Sequence, residues 1–537
     1  MRLTRAVVVI APPSVRGVRH NDGVLFAEVV AVSAEVAGTR SRTAKIAALG
    51  SVIRAAGPAD VRPVVAWLSG ELLQGRLGAG WRTVARTVDA LAPAPEPALT
   101  VDEVTAALDE LAGTSGAGSV ARRDAVLTGL FGRATAAEQR FLVGLITGEL
   151  RQGALAGVVT DAVARAADVP LETVRRAAML SGSLPDTAAA ALRGGADELA
   201  GFGLEVLRGV APMLASPAEG VDAALADLGP DVSVEFKLDG ARIQVHRLGD
   251  EVRVYTRTLR DITDAVPEIV ALARELPCRS VVLDGESLAL TDAGRPRPFQ
   301  ETMSRFGSSE TGETVLRPYF FDCLHLDGRD LLDAPLSVRL DALQAVAGAL
   351  RIPALARPTP DEAAAHYAAA LAAGHEGVMV KSLDAPYAAG RRGRAWQKVK
   401  QTHTLDLVVL GAEWGYGRRT GMLSDLHLGA RDPDGGDPIM VGKTFKGLTD
   451  ALLRWQTEEF PKYEVPAPAS IGPAPGGQHT VFLRPEIVVE IELDGVQVSR
   501  RYPGGVALRF ARVLRYRPDK TAAEADTIDA VRSLLPG

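Results

Sequence analysis

Glu235-Phe236-Lys237-Leu238-Asp239-Gly240-Ala241-Arg242 contains K-x-D-G-x-R, and its reading decides the rest of the chain. A lysine at neutral pH is protonated and a poor nucleophile; it becomes a good one when desolvated or set beside other cations. Val232, Val234, Phe236 and Leu238 alternate with Ser233, Glu235, Lys237 and Asp239. The alternation resumes with Ala241, Ile243 and Val245 against Arg242, Gln244 and His246. Two period-2 runs joined by Asp-Gly predict a β-hairpin. Lys237 would then face Arg242 across the turn, with Glu235 on the same polar face. An ordinary hairpin with a solvated polar face has the same pattern, so the octet needs support from elsewhere.

That support follows in order along the chain. Thr256-Arg257 comes first, then Leu283-Asp284-Gly285-Glu286 after Val281-Val282. Tyr319-Phe320-Phe321-Asp322 leads into Leu326-Asp327-Gly328. Glu376-Gly377-Val378-Met379-Val380-Lys381 and Trp396-Gln397-Lys398-Val399-Lys400 come next, and Arg509-Phe510-Ala511-Arg512 ends in Asp519-Lys520. The set resembles the covalent nucleotidyltransferases, and among them the three-domain ATP-dependent DNA ligases. In these a lysine attacks the α-phosphate of a nucleotide and holds it as a phosphoramidate.

The resemblance implies a role for each matching residue. Lys237 is the nucleophile. Glu235 lies against the adenine, and Phe321 stacks on it, with Phe320 the alternative one register away. Arg242 and Arg257 contact the ribose and the nick phosphate. Glu286 binds the ribose and a metal ion, and Glu376 holds Mg²⁺ (Mn²⁺ the alternative), with Asp239 a further metal ligand. Lys381, Lys398, Lys400 and Arg392 reach the α-phosphate region. Arg509 and Arg512, with Asp519 and Lys520, orient the pyrophosphate, which requires a hinge near Gln401 to Thr404. The cofactor implied is ATP and the partner nicked duplex DNA. In the N-terminal part Arg151 and Gly153 sit in a segment resembling a DNA-contacting turn, and Lys443 and Lys446 are expected on the DNA backbone.

At 537 residues the chain calls for several domains. Hydrophobic residues at 47% and charged residues at 23% exclude a disordered chain. The net charge of −6 is unusual for a DNA-binding protein. Its distribution answers this: five basic and no acidic residues from Arg391 to Lys400, and seven basic against one acidic from Arg500 to Lys520. Two cysteines, Cys278 and Cys323, suit a reducing compartment and cannot build the four-cysteine zinc module expected of an NAD-dependent ligase. No stretch has transmembrane length. A cytoplasmic monomer, nucleoid-associated if bacterial, is expected.

The fold class expected is multidomain, α + (α+β) + β. Residues 1–23 read as a disordered extension or a misplaced start. Residues 24–204 read as an all-helical DNA-binding domain, with a Pro-rich linker from Leu91 to Leu99. Within it Leu68–Gly75 and Ile146–Gly153 echo each other. Residues 205–402 read as the nucleotidyltransferase (ATP-grasp-like adenylation) domain, and 403–537 as an OB-fold β-barrel. An RNA ligase or capping enzyme shares the lysine motif but not the long helical region. A DNA-binding relic without catalysis would have lost Lys237, Glu286, Glu376 or Lys398, and all four are present.

Overall fold

The computed structural model describes all residues except 1–23, 76, 151–155, 292–294, 298–301, 303–314, 389–391, 416–418, 467–479 and 536–537. The readings made for residues 1–23, Arg151 and Gly153 fall outside the described residues, as does the side chain of Arg392. The chain divides into two compact units. The first runs to Val174 and takes in Ser183–Gly201; the second comprises Arg175–Gly182 and Phe202 onward.

The first unit is helical, from Phe26–Gly38 to Leu184–Ala200. Its core holds Phe26 edge-on to Trp67 at 5.4 Å and to Phe141 at 5.6 Å. Thr100 and Thr135 each cap a helix, their hydroxyls accepting from the backbone N–H of Glu103 and Glu138 while those carboxylates bond back. The echo seen in the sequence is realised in the backbone. After Val61–Leu68, the N–H groups of Ser69, Gly70 and Glu71 donate to the carbonyls of Val65, Trp67 and Ala66. After Ala136–Ile146, those of Thr147, Gly148 and Glu149 donate to Val143, Leu145 and Gly144. Gly70 and Gly148 take left-handed φ of 78° and 71°, which a side chain would strain.

The second unit begins with two five-stranded sheets. Their strands are β1 (Leu214–Pro217), β2 (Val232–Lys237), β3 (Ala241–Leu248), β4 (Glu251–Thr256), β5 (Ser280–Ala289), β6 (Leu316–Leu326), β7 (Arg329–Asp330), β8 (Ala354–Ala356), β9 (Gly377–Ser382) and β10 (Arg392–Lys400). One sheet has the order β1-β10-β9-β2-β8 and the other β4-β3-β5-β6-β7. This corrects the hairpin expectation: β2 and β3 do not pair. β2 pairs with β8 and β9, and β3 with β4 and β5. The chain turns between sheets at Leu238–Gly240. The reason lies in Gly240, where a Cβ would come within 2.4 Å of the Ser287 carbonyl of β5. The backbone is pressed onto the second sheet rather than folded back on β2.

The alternative of an ordinary hairpin with a solvated polar face does not hold for β2 either. Ser233 and Glu235 are buried, because β2 is an interior strand with both neighbours paired. Behind the second sheet a core of Val245, Leu283, Phe320 and Leu340 closes the layer.

The remainder is β-rich: β11 (His403–Trp414), β12 (Leu423–Ala430), β13 (Ile439–Thr444), β14 (Glu464–Val465), β15 (Thr480–Leu483), β16 (Val488–Leu493), β17 (Gly495–Val498), β18 (Val506–Arg509) and β19 (Arg512–Tyr516). β11 is the hub, pairing with β12 on one edge and with β15 and β16 on the other. No helix among the described residues is long and apolar enough to cross a membrane.

Candidate active site

A cavity of about 780 Å³ is lined by residues of both five-stranded sheets and by Phe510 of the β-rich region. Register puts its chemistry in place. Lys237 of β2 and Lys400 of β10 both pair with Gly377 of β9, so the three stand in one row across the sheet. Gly377 has φ of 145°, and a Cβ there would meet the Val399 carbonyl at 2.2 Å. Only glycine allows the strands to close at that row. The preceding residue, Glu376, therefore sits between two lysines. It takes an ion pair from Lys237 and another from Lys400 at 3.0 Å. Burial opposes its ionisation, but the two lysines outweigh that and hold its carboxyl below the usual range.

The β-rich region completes the row. Lys400 donates to Asp494 at 3.0 Å, and Arg509 forms a bidentate pair with Asp239 at 2.7 and 3.2 Å. A cation and an anion from each side are thus exchanged across the mouth of the cavity.

At the inner wall Lys381 pairs with Glu235 at 2.5 Å, both essentially inaccessible. Apart from each other, Lys381 Nζ and Glu235 Oε2 have no polar partner among the described residues. The lysine stands 4.3 Å from the ring centres of both Phe321 and Trp396. Phe321 lines the cavity while Phe320 lies in the core behind. Arg242 also lines the cavity and is gripped by Asp284 through Nε at 3.1 Å and Nη2 at 2.7 Å. Arg257 is exposed on the turn after β4, at the cavity wall. Burial pushes the Glu286 carboxyl up to about 8, against the pull of Lys237 and Arg242.

Lys237, Glu235, Arg242, Arg257, Glu286, Phe321, Lys381, Lys398 and Lys400 all line this cavity. Several placements differ from expectation. Lys381 is committed to Glu235 at the inner wall instead of reaching for phosphate, since the register that sets β9 against β2 buries its side chain. Glu376, Glu286 and Asp239 do not gather as a metal cluster; no group of three potential ligands does so among the described residues. Asp239 is taken by Arg509. Asp519 and Lys520 do not reach the cavity with Arg509. Lys520 pairs with Asp406 at 2.5 Å and Asp519 with Arg517 at 2.6 Å. Arg512 stays largely exposed, 3.9 Å from Glu492. Lys443 is held by Glu413. Lys446 is exposed, 5.0 Å from the ring centre of Phe510.

Three participants carried no sequence signal of their own. Asp284 lay inside a quoted motif without a role, and Tyr387 and Asp494 lay outside every motif.

The comparisons agree with this geometry. Residues 212–400 match the family described as ATP dependent DNA ligase domain, 419–520 its C terminal region, and 82–164 the DNA ligase N terminus. A Rhodococcus jostii protein named "Probable DNA ligase" is 67% identical over 96% of this chain and 100% of its own length. One of the same name from Nocardia farcinica is 64% identical over 95% of this chain and 100% of its own. A solved structure named Pmar-Lig_PreS3 superposes with a TM-score of 0.58 over 91% of this chain and 99% of its own, at 16% identity, and so shares the fold. The chain belongs to the ATP-dependent DNA ligases, enzymes that form phosphodiester bonds.

Proposed function

We propose that the chain seals 5′-phosphate/3′-hydroxyl nicks in duplex DNA, with Lys237 as the residue that carries AMP. The observation supporting this is the row Lys237–Gly377–Lys400 with Glu376 between the two lysines, opening into a cavity large enough for a nucleotide. Lys237 Nζ attacks the α-phosphorus of ATP and pyrophosphate leaves. The DNA 5′-phosphate then takes the AMP from the lysine, and the 3′-hydroxyl displaces it. Each step is a displacement at phosphorus, so the work of the protein is positioning and charge neutralisation.

The geometry supports a role for each of these residues. Phe321 and Trp396 offer flat apolar surface to a purine. Glu235 Oε2 and Lys381 Nζ, with no polar partner but each other among the described residues, offer one acceptor and one donor to its edge. Lys398, Lys400 and Arg242 offer cations to phosphate. Arg257 stands at the cavity wall where a nick would approach. The residues also fit a Mg²⁺ shared with substrate phosphates rather than caged by protein, because Mg²⁺ takes one or two carboxylates and keeps its other ligands as water and phosphate. Glu376 and Glu286 would hold it, and it would neutralise phosphate charge; Asp239, held by Arg509, would not. The three modules read from the sequence, helical, nucleotidyltransferase and β-rich, fit the same assignment, with Lys443 and Lys446 turned to the DNA backbone once Glu413 releases Lys443.

Intact mass tests the reading. Incubation with ATP and Mg²⁺ is expected to add one AMP, removed again by nicked DNA, and Lys237→Ala to add none. An adduct on Lys237→Ala would place the nucleophile elsewhere. Gain from GTP or NAD in place of ATP would overturn the nucleotide assignment.

A further inference from the structure

We propose that Tyr387 is a positioning residue that holds Arg242 in its pose at the nucleotide cavity. Tyr387 stands in the connection between β9 and β10, with 2% of its surface exposed. Its backbone N–H donates to the Leu332 carbonyl at 2.8 Å, which fixes the ring. Its hydroxyl donates to Asp284 Oδ2 at 2.7 Å and accepts from the Met213 N–H at 3.1 Å. Arg242 Nη2 approaches the same oxygen at 3.4 Å. A phenol offers one donor and two lone pairs, and all three are engaged.

Arg242 closes the figure. It grips Asp284 through Nε and Nη2 and donates through Nη1 to the Met213 carbonyl at 2.7 Å. Asp284 and Met213 each hold both Arg242 and Tyr387, so the four residues form a closed ring of hydrogen bonds. Met213, Arg242 and the adjoining Leu214 and Ala215 line the cavity. The ring therefore fixes a cation, 5.4 Å from the Phe321 ring centre, relative to the walls that receive the nucleotide.

Electrostatics explain why a phenol does this. Asp284 of β5 lies directly opposite Asp322 of β6. Like charges so placed repel, and each needs its own cation. Asp322 is satisfied by Arg339, fully buried with it. Arg242 serves Asp284. An uncharged donor is a partner Asp284 can take without setting a second cation against Arg242. Burial, and the Asp284 carboxylate beside it, raise the phenol well above its ordinary value, so it stays a donor.

The inference rests on the reading that Arg242 contacts nucleotide or nick, and its test separates the two. The reaction is single-turnover sealing of a nick by the ATP-charged enzyme. Tyr387→Phe is expected to slow it about tenfold at saturating DNA, the size of losing a charge-assisted bond, while KM for ATP, read separately from multiple-turnover sealing, stays within about twofold. In an Arg242→Gln background the same change is expected to cost less than about twofold, because its target is gone. An equal cost in both backgrounds, or a cost seen only in KM and melting temperature, would overturn the positioning role. Arg242→Gln sealing at the parental rate would overturn the reading of Arg242 and the inference with it. 4-Aminophenylalanine at 387 keeps the aryl packing and a donor for Asp284, and keeps the test open even if the Phe variant does not fold. Its rate is expected within about threefold of the parent, and a tenfold loss would count against the proposal.

Discussion

The two ends of the nucleotide cavity are both built from ion pairs, and they differ in burial. At the back, Arg339 and Asp322 show no exposed side-chain surface, and Arg242 and Asp284 show 15% and 1%. At the mouth, Lys237–Glu376, Lys400–Asp494 and Arg509–Asp239 retain between 16% and 28%. A fully buried pair cannot trade partners, since each charge left alone would face a low-dielectric interior. A pair at the mouth can, because water or a phosphate oxygen can replace the carboxylate as it leaves. The back wall is permanent architecture. The mouth is a set of partly exposed cations held on carboxylates, which on the proposed reading would be exchanged for phosphates.

Arg339→Ala makes the largest test of that difference. It strands Asp322 and frees the carbonyls of Ala334 and Ala385, which Arg339 Nη1 now serves. Removal of one partner from a buried pair costs about 3–5 kcal/mol, a large part of the stability of a domain. Urea unfolding followed by circular dichroism is expected to show an unfolding free energy lowered by that amount, read as a lower midpoint. A shift no larger than that of a mouth variant would erase the distinction between the two ends.

Burial also shows why the sequence was legible at the mouth and less so at the back. Lys237, Glu376, Lys400 and Arg509 were all marked by motif; Lys237 and Lys400 line the cavity, and Glu376 joins both lysines and Arg509 through ion pairs. Tyr387 and Arg339 act through partners far off in sequence, Asp284 and Asp322, and no local spacing encodes such a meeting. The hairpin reading of Asp239-Gly240 failed for a related reason. Alternation says which residues share a face but not which strand lies beside them, and the contact of Gly240 with Ser287 is a fact of the second sheet. The helical echo of Leu68–Gly75 and Ile146–Gly153 was legible because helix ends are written locally, in Ser/Thr-Gly-Glu.

A second buried anchor gives a smaller effect with a sign that can be fixed. His246 has no exposed surface; its Nδ1 accepts from the Leu207 N–H at 3.1 Å, and its Nε2 meets Gln244 Oε1 at 2.8 Å. Burial, with His325 adding to it, brings its pKa down from 6.5 to about 3. The folded chain keeps this imidazole neutral while the unfolded chain protonates it. Its contribution is therefore present above pH 6.5 and is lost as pH falls from there toward 3. At pH 5 the loss from this residue is about 2 kcal/mol. His246→Asn is expected to be less stable than the parent at pH 8 but to lose less on acidification. Parallel stability–pH curves for the two proteins would contradict a buried neutral histidine.

Arg509→Ala carries the smallest stability effect and the sharpest functional contrast. Its pair with Asp239 is partly exposed, and such pairs are worth roughly 0.2–1 kcal/mol. Unfolding should barely register the change, in contrast to Arg339→Ala. Yet Arg509 is the side chain through which the β-rich region reaches Asp239, two residues from Lys237. Without it, Asp239 stands unneutralised at the mouth of the cavity, and the β-rich region loses its ion pairs to Asp239 and, at 3.9 Å, to Glu376. Nick sealing is expected to fall at least about tenfold while the melting temperature moves by no more than a few degrees. The Lys400–Asp494 pair would remain, so Asp494→Asn added to Arg509→Ala should slow sealing further. Were the double variant no slower than Arg509→Ala alone, Lys400–Asp494 would be a bystander, and only Arg509 would link the β-rich region to the chemistry.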